Sequence, residues 1–362
     1  MTEDAPIPDR PLRAGWTTGA CATAAAKAAF VALTTGAFPD PVAIALPRGQ
    51  RPEFALAERA LAEGRASAGV VKDAGDDPDV THGALIRATV EPGPAGSGIA
   101  FRAGEGVGTV TRPGLPLAVG EPAINPAPRA MIRATLAEVA GGTAPDLVVT
   151  IAIPGGATLA AKTLNGRLGI VGGLSVLGTT GIVVPFSCAA WIHSIHRGID
   201  VARAGGVAHI AAATGSTSEA AVQRWLGLPE IALIDMGDFV GGTLKYLRNH
   251  PVARLTLAGG FGKIAKLAQG AMDLHSGRSR VDPAALATLA GDLAAPPALV
   301  AAIAAAESAG QALVLAREAG LPLADAVAAR ARAVALAALA GATAVDVAVF
   351  DRAGALIGHA GA

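Results

Sequence analysis

The sequence predicts two domains, an α+β domain followed by an α/β domain. A length of 362 residues accommodates two domains of ordinary size. Before about residue 186, short β-like runs alternate with glycine, proline and aspartate turns, which is typical of α+β folds. After residue 206, apolar strands alternate with helices, which indicates a parallel sheet with right-handed crossovers. We place the boundary in the helical connection at residues 186–205 and take residues 1–195 and 196–362 as the two domains.

The composition argues against several classes of protein. Hydrophobic residues make up 52% of the chain, but alanine accounts for much of this, and no apolar run reaches the ~18 residues of a membrane-spanning helix. The formal net charge is zero and no Lys/Arg block is present, which argues against nucleic acid as a partner. The two cysteines, Cys21 and Cys188, give no sign of a disulfide framework. Residues Met1–Arg10 are polar, so we expect a cytoplasmic protein without a signal segment.

The N-terminal domain is predicted to begin with an alanine-rich helix. Thr17 and Thr18 are good N-cap residues, Ala20–Leu33 is a run of strong helix formers, and Gly36 ends it. A second helix is predicted at residues 131–140. Strands are predicted at residues 84–90, 147–153 and 182–184.

The C-terminal domain is predicted to contain a four-stranded parallel sheet. The four apolar runs are residues 207–213, 231–236, 255–258 and 345–350. A helix at residues 191–204 precedes them, and an alanine-rich helical region spans residues 283–340. These alanine-rich helices can also pack against a second copy of the chain, so a homo-oligomer is possible.

The segment K-D-A-G-D-D-P-D-V-T-H-G, residues Lys72–Gly83, is the most unusual in composition. Gly75 and Pro78 exclude a regular helix there. Clustered carboxylates repel, so a compact domain keeps them together only if water, backbone N–H groups, a cation or a substrate compensates the charge. Two interpretations stay open: an Asx-turn loop that satisfies its own backbone, or an acidic ligand-binding loop.

Glycine- and proline-rich loops follow in the same domain. Gly104–Gly114 carries Arg112 on a proline-stiffened turn, and Gly120–Arg129 reads as a rigid extended segment. We interpret their arginines as candidates for bidentate capture of a carboxylate, with ordinary exposed or paired arginines as the alternative. The glycine density of residues 169–181 indicates that backbone there approaches a ligand closely.

Three loops of the C-terminal domain follow strands and therefore meet at one edge of the sheet, where open α/β folds bind ligands. The turn after residue 258 lacks a P-loop pattern because Ile264 replaces the hydroxyl residue, so a nucleoside ligand such as S-adenosylmethionine is favoured over a nucleoside triphosphate. Ser216 and Glu219 also have capping-box spacing, and capping alone is the alternative for them. The candidate cofactor-binding residues are Gly215, Ser216, Thr217, Ser218, Glu219, Asp235, Gly237, Asp238, Gly259, Gly260, Gly262 and Lys263.

Together these motifs resemble the CbiD family, the cobalt-precorrin-5B C1-methyltransferases of cobalamin biosynthesis. The resemblance spans most of the chain and is strongest at Leu12–Ala29, Lys72–Gly83, residues 104–129 and Asn165–Pro185, with looser matches at G-S-T-S-E, G-D-F-V-G and G-G-F-G-K. The chain departs from the family pattern after Ser187, where acidic residues are expected and Cys188 and Ala189 occur. No role for acids at those two positions carries over.

The resemblance implies a fold, a reaction and a ligand set. It implies a first domain similar to a permuted ribosomal S5 second domain and a second domain with a four-stranded parallel sheet. It implies methyl transfer from S-adenosylmethionine to C1 of a cobalt-containing tetrapyrrole, giving cobalt-precorrin-6A and S-adenosylhomocysteine. Because the cobalt arrives inside the substrate, we expect no protein-bound metal. His193 and His196 have a helical metal-ligand spacing but no apparent third ligand, and we favour ordinary surface or interface histidines.

A tetrapyrrole with many carboxylate arms requires several cationic or N–H donors. The candidate substrate-binding residues are Arg13, Thr17, Thr18, Lys72, Asp73, Asp76, Asp79, Arg112, Glu121, Asn125, Arg129, Lys162, Thr179 and Thr180. The macrocycle carbon is itself the nucleophile; if a general base takes part, Asp77 and His82 are the candidates. Two other classes stay open: a phosphotransferase that uses the acidic loop for Mg²⁺, and a non-catalytic corrinoid-binding protein.

Overall fold

The computed structural model describes residues 10–341 and 343–361 and divides into two compact units. The first unit ends at Ser187 and the second begins at Cys188, earlier than the division expected at residue 195. The reason is that residues 188–204 form one continuous helix, whose Ile195, Ile199 and Ala202 join the core of the second unit. The expectations for Met1–Asp9 lie outside the described residues.

Over residues 10–187, the first unit contains a five-stranded sheet, several short strands and three helices. In chain order these elements are β1 (Gly15–Trp16), α1 (Thr18–Thr35), β2 (Val42–Ala43), β3 (Glu53–Phe54), β4 (Glu58–Ala62), β5 (Arg65–Val71), β6 (Leu85–Pro92), β7 (Ile99–Ala103), β8 (Thr109–Val110), α2 (Pro126–Val139), β9 (Leu147–Ala152), α3 (Gly156–Ala160), β10 (Ile170–Val171) and β11 (Ile182–Val183). The five-stranded sheet has the order β4-β5-β6-β9-β7, with only the β7–β9 pair parallel.

Helix α1 lies at the centre of the first unit. It packs on strands β5 and β6 and against α2, and thirteen of its eighteen residues are buried. Alanine side chains dominate the helix, which lets sheet and helices approach closely on every side. The predicted caps are confirmed: Thr17 Oγ1 accepts the Ala20 N–H at 3.2 Å, and Gly36 has the left-handed φ of 81°.

The sequence suggested an extended segment over Gly120–Arg129, but its last four residues belong to helix α2. Helix α2 begins at Pro126, five residues before the predicted start at residue 131. Pro126 and Pro128 fall in the first turn, where backbone N–H groups have no intrahelical acceptor and the fixed proline φ suits a helix. The prolines therefore start the helix here.

The second unit is an α/β fold. Its elements are α4 (Cys188–Ala204), β12 (His209–Ala213), α5 (Ser216–Leu226), a 3₁₀ turn (Glu230–Ala232), β13 (Leu233–Asp235), α6 (Val240–Asn249), β14 (Arg254–Gly260), α7 (Phe261–Ala268), α8 (Pro283–Asp292), α9 (Pro297–Ala304), α10 (Ala309–Glu318), α11 (Leu323–Leu339), β15 (Ala344–Phe350) and β16 (Leu356–Ala360). The predicted helical region 283–340 is thus four helices, α8 to α11.

The sheet of the second unit has five strands in the order β13-β12-β14-β15-β16. The first four are parallel and correspond to the four predicted runs, whereas β16 is antiparallel to β15, so the expected count of four strands was too low. Asp351 reverses the chain before β16, because its carboxylate accepts the N–H groups of Ala353 and Ala355. The fifth strand escaped sequence analysis because it is short and contains Gly358.

Within the described residues, no helix is both long enough and apolar enough to cross a membrane.

Candidate functional site

Three segments of the first unit meet around strand β1. On one side the Trp16 N–H donates to the Asp73 carbonyl at 2.7 Å, and the Asp76 N–H donates to the Arg13 carbonyl at 2.9 Å. On the other side β1 pairs with β11. A Cβ atom on Gly75 would lie 2.1 Å from the Arg13 carbonyl oxygen, so the approach requires glycine. We call residues Lys72–Gly83 the Asp-rich loop; it joins β5 to β6.

Two acids of the Asp-rich loop are compensated by the segment before β1. The Arg13 guanidinium binds Asp73 through two hydrogen bonds of 2.5 and 2.8 Å. This contact and the Gly75 N–H lower the pKa of Asp73 to about 2. Asp76 accepts the Arg13 backbone N–H at 2.7 Å and a hydrogen bond from Arg10 at 3.2 Å, and its pKa is also lowered.

A third acid, Asp79, neutralises a buried lysine. The Lys72 side chain is only 2% exposed, and its ammonium group contacts the Asp79 carboxylate and, at 2.5 Å, Thr81 Oγ1. Burial alone would raise the pKa of Asp79, but the Lys72 charge and the hydrogen bonds from Lys72 and Thr81 outweigh it and lower that pKa. Lys72 therefore stabilises the loop and is not available to a substrate carboxylate.

Asp77 and His82 are less constrained than their neighbours in the loop. Burial raises the pKa of Asp77, although its Oδ1 atom accepts the Phe186 N–H at 2.9 Å. The His82 side chain is 54% exposed, and its Nδ1 atom accepts the Ala74 N–H at 3.1 Å. This contact leaves the proton of the neutral ring on Nε2, the atom that remains open to a ligand.

The N-terminus of α1 has fewer open donors than the sequence suggested. Thr17 and Thr18 are 6% and 3% exposed. The Gly19 N–H donates to the Leu177 carbonyl at 2.9 Å, and the Ala20 N–H is capped by Thr17. These donors are satisfied within the protein and do not form an anion site.

The two predicted carboxylate-binding arginines bind the protein itself. Arg129 is 13% exposed and donates to the carbonyls of Ile124 and Pro122, at 2.7 and 3.1 Å, while its guanidinium pairs with Glu121 at 3.1 Å. Arg112 donates to the Arg167 carbonyl at 3.1 Å. Asn125 is the N-cap residue of α2 but makes no side-chain cap. Arg129 fixes the start of α2 instead of presenting a free guanidinium.

The glycine-rich loops bring backbone against backbone. A Cβ atom on Gly106 would lie 2.0 Å from the Ile153 carbonyl oxygen, and one on Gly173 would lie 2.2 Å from the Gly106 carbonyl oxygen. The Leu174 N–H donates to the Gly106 carbonyl at 2.8 Å. At Gly173, within the glycine-rich residues 169–181, the close approach is therefore made by protein backbone.

The remaining predicted substrate residues lie toward solvent. Lys162 and Thr179 are exposed. Thr180 is half-buried, and its hydroxyl accepts the Ile182 N–H at 3.3 Å. Leu177, close to the α1 N-terminus, is 49% exposed.

In the second unit, the candidate residues gather at the carboxyl ends of β12, β13 and β14. Strand β13 lies on one side of β12, and the next strand along the chain, β14, lies on the other side of β12. The strand order therefore reverses between β12 and β14, which makes this position a topological switch point. There the Thr214 N–H donates to the Ala258 carbonyl at 2.9 Å, and the Lys263 Nζ atom donates to the Thr214 carbonyl at 2.8 Å. A Cβ atom on Gly259 would lie 2.8 Å from Thr214 Oγ1.

Asp238 has an unsatisfied oxygen at this edge. Its Oδ1 atom is buried and lies 3.3 Å from Lys263 Nζ, but it receives no well-directed hydrogen bond. The ion pair and the missing hydrogen bond are compatible, since charge attraction tolerates poor angles that a hydrogen bond does not. A ligand hydroxyl or ammonium group would supply the absent donor.

The predicted capping box of Ser216 and Glu219 does not form. Helix α5 begins at Ser216, Gly215 is the N-cap residue, and no side chain caps the helix. Ser218 Oγ donates to the Gly215 carbonyl at 2.9 Å. The remaining candidates Thr217, Gly260 and Gly262 lie in the first turns of α5 and α7 or directly before them.

Sequence analysis missed two neighbours of these residues. Thr214 directly precedes Gly215 at the end of β12. Its place between a predicted strand and a candidate residue could have identified Thr214 from the sequence. Trp191 lies on α4, and its indole N–H donates to the Asp235 carbonyl at 3.3 Å while the ring covers Gly237. No local pattern links Trp191 to that turn, since Trp191 and Asp235 are 44 positions apart in the sequence.

The two histidines of α4 occupy different environments. His196 stacks on the Tyr246 ring with centroids 3.9 Å apart, and His193 is exposed. Desolvation by surrounding protein atoms, with a smaller contribution from the Arg197 charge, lowers the pKa of both. Across residues 10–341 and 343–361, no group of three His, Cys, Asp or Glu side chains has the arrangement of a metal site.

Comparisons with known proteins identify similar sequences over nearly the whole chain. The family model described as CbiD matches residues 6–185, and the one described as CbiD, C-terminal domain, matches residues 273–361. Curated relatives described as cobalt-precorrin-5B C(1)-methyltransferase include one from Bradyrhizobium sp. (65% identical, covering 99% of this chain and 96% of the relative) and one from Rhodospirillum rubrum (61%, covering 97% and 98%).

A solved structure is also similar to this chain. It is the 1.9 Å crystal structure of the cobalamin biosynthesis protein (cbiD) from Archaeoglobus fulgidus. It is 24% identical, covers 86% of this chain and 85% of its own, and gives a TM-score of 0.38.

The buried Lys72–Asp79 pair generates a stability prediction. Asp79→Asn leaves a buried ammonium group without its counter-charge and should lower the free energy of unfolding by about 3 kcal/mol at pH 7. Because the folded pKa of Asp79 is lowered, its stabilising contribution is present above the ordinary carboxyl pKa of about 4 and is lost as the pH falls below it. The difference between wild type and Asp79→Asn in urea denaturation should therefore shrink at acidic pH.

Asp76→Asn is the matched control for this comparison. It removes a carboxylate from the same loop, but its partner Arg10 is 61% exposed, so loss of this ion pair should destabilise the protein far less than Asp79→Asn does. Equal destabilisation by the two variants would contradict the assignment of Lys72 and Asp79 as the essential pair.

Proposed function

Because the chain belongs to the CbiD family, we propose that it transfers a methyl group from S-adenosylmethionine to C1 of cobalt-precorrin-5B, giving cobalt-precorrin-6A in cobalamin biosynthesis. The observation that carries this proposal is identity of 59–65% to curated relatives described by that activity, over at least 95% of this chain. The substrate is a cobalt-containing tetrapyrrole, and the methyl donor follows from the methyltransferase class. The cobalt belongs to the substrate, and we propose no protein-bound metal.

The reaction is an in-line displacement at the methyl carbon. The ring carbon C1 supplies an electron pair to the new C–C bond, and the pair of the breaking C–S bond stays on sulfur, which becomes a neutral thioether. The methylated ring then releases one proton to solvent or to a protein base, so the net gain is one CH₂ group. The protein's tasks are to align the donor methyl with C1 and to exclude water. Neither task needs a protonated carboxylic acid. Carboxylates that the protein holds in the charged form, such as Asp73, are therefore consistent with this chemistry.

We assign the methyl donor to the second unit, at the carboxyl ends of β12, β13 and β14. The space around Gly260 is open to 4.0 Å, which allows a ligand to approach the backbone there, and we propose that Asp235 at the end of β13 accepts ribose hydroxyls. The unsatisfied Oδ1 atom of Asp238 supports the same location, since the donor carries hydroxyl and ammonium groups.

We assign the tetrapyrrole to the first unit, with a fold similar to a permuted ribosomal S5 second domain. Asp77 and His82 are the loop residues that we propose take part in the reaction. The pKa of Asp77 is raised, and the Nε2 atom of His82 is open to a ligand. Asp77 would hold or accept a proton near the ring, and the Nε2–H group of His82 would act as a donor toward it. Arg13, Lys72 and Arg129 act indirectly, because they shape the segments that carry these two residues.

The direct test is turnover with mass-spectrometric detection. Wild type with S-adenosylmethionine and cobalt-precorrin-5B should give a product heavier by one CH₂ group together with S-adenosylhomocysteine. If Asp77 or His82 handles a proton, Asp77→Asn or His82→Gln should lower kcat roughly ten-fold or more while leaving the Kd for S-adenosylhomocysteine unchanged. A kcat equal to wild type in both variants removes that role.

Thermal shift separates this function from its rivals. S-adenosylhomocysteine and a cobalt corrinoid should each raise the Tm of a methyltransferase, and Mg·ATP should not. A rise with Mg·ATP alone would favour a phosphotransferase. A rise with the corrinoid alone would favour a non-catalytic carrier.

The donor site is tested by Asp235→Ala. Loss of a charged hydrogen-bond acceptor should raise the Kd for S-adenosylhomocysteine roughly ten-fold or more in isothermal calorimetry. Asp292→Ala removes an exposed carboxylate on α8 of the same unit and is the matched control. If Asp235→Ala binds as tightly as Asp292→Ala, the donor lies elsewhere.

A further inference from the structure

The turn after β13 carries Asp235, the acid that we assign to the ribose of the methyl donor. Strand β13 is the end strand in the order β13-β12-β14-β15-β16. The Met236 N–H donates toward β12, to the Ala213 carbonyl at 3.0 Å. Because the N–H and C=O groups of one trans peptide unit point in opposite directions, the Asp235 carbonyl points to the outer side of this end strand. It therefore needs a donor from outside the sheet.

Trp191, on helix α4, supplies that donor and contacts the turn at two further points. Its indole N–H donates to the Asp235 carbonyl at 3.3 Å. A Cβ atom on Gly237 would lie 3.3 Å from the nearest indole atom, so the ring rests directly on this glycine. The indole and the Phe239 ring have centroids 6.3 Å apart, within the range of an aromatic pair. One side chain thus contacts the segment at its beginning, middle and end.

Trp191 and the Asp235 carboxylate lie on opposite faces of the sheet. Helix α4 packs on the face that contains Ile234, because Ile195 of α4 and Ile234 belong to one core cluster. Leu233 belongs to the cluster of the other face. Since side chains alternate along a strand, the Asp235 side chain is on the same face as that of Leu233. Trp191 therefore supports the strand end without occupying the side on which the carboxylate lies.

The backbone of this turn needs such support. Gly237 has a φ of 53°, in the left-handed region, and glycine adopts many backbone conformations at little cost. Two backbone hydrogen bonds of 2.9 Å hold the part after this glycine: the Leu274 N–H donates to the Asp238 carbonyl, and the Gly241 N–H donates to the Met272 carbonyl. The indole N–H instead acts before the glycine, on the residue that carries the carboxylate.

From these contacts we infer that Trp191 is a positioning residue of the methyl-donor site, which holds the turn of residues 235–238 in the conformation that lets the Asp235 carboxylate bind the ribose hydroxyls. The inference rests on the proposed function and deepens it, because it adds a residue of α4 to the donor site. Trp191 acts through the turn and not through contact with the donor.

The experiment measures binding of S-adenosylhomocysteine to the full-length protein by calorimetry. Trp191→Phe keeps a ring over Gly237 but removes the N–H group, and it should raise the Kd roughly three-fold or more. Trp191→Ala removes the ring as well and should raise the Kd roughly ten-fold or more.

Trp225 offers a matched control in the same unit. It lies on α5, is 40% exposed, and packs against Phe350 and His359. Trp225→Phe and Trp225→Ala remove the same groups as the Trp191 variants and should change the Kd by less than about two-fold.

A double variant tests whether Trp191 acts through Asp235. If it does, adding Trp191→Ala to Asp235→Ala should change the Kd by less than about three-fold, because the carboxylate that Trp191 positions is already absent. Independent contributions would multiply instead, to roughly a hundred-fold above wild type.

The outcomes separate this inference from the proposed function. The positioning role is wrong if the Trp191 variants bind as tightly as the Trp225 variants, if the effects in the double variant multiply, or if Asp235→Ala binds normally. A lowered Tm with an unchanged Kd would also overturn it, since that result assigns Trp191 to the core alone. Trp191→Phe keeps the test open if Trp191→Ala does not fold. In each of these cases the function stands as long as wild type methylates its substrate; if wild type produces no methylated tetrapyrrole, the proposed function fails.

Discussion

The first unit depends on the close approach of two backbone segments at Gly15 and Gly75. Carbonyl and amide groups of residues 13–16 pair with those of residues 73–76 at distances that leave no room for a side chain at either glycine. This pairing places the Arg13 guanidinium against Asp73 and the Arg13 N–H against Asp76. It also continues into the β1–β11 pair, so the segment before α1, the Asp-rich loop and the end of the first unit form one layer.

Charge compensation within this layer changes the interpretation of the Asp-rich loop. Three of its four aspartates are bound by cations of the protein, at Arg10, Arg13 and Lys72, and backbone N–H groups together with these cations lower their pKa values. The loop therefore needs no bound metal to hold its acids together. Asp77 and His82 instead accept backbone N–H groups, those of Phe186 and Ala74.

The sequence was sufficient for elements whose signals are local and insufficient for contacts between distant residues. Helix α1, with its Thr17 cap and Gly36 end, and the four parallel strands of the second unit follow from patterns of a few residues. The roles of Arg129 and Gly106 did not, because their partners are carbonyls brought close only by tertiary structure. A free arginine and a carbonyl-bound arginine look the same in a sequence. Membership of the CbiD family was recognised because its motifs are long and unusual in composition.

The most direct test of this account compares Gly75→Ala with Gly83→Ala by hydrogen exchange and thermal unfolding. Both glycines have positive φ, 68° and 75°, so alanine costs roughly 1–2 kcal/mol of conformational strain at either position. Only at Gly75 would the new Cβ atom meet backbone, since the space around Gly83 is open to 4 Å. We expect Gly75→Ala to lose amide protection in peptides that contain Trp16 and Asp76 and to lower the Tm well beyond Gly83→Ala. Equal Tm values and equal protection in the two variants would contradict the claim that this backbone contact holds the site together.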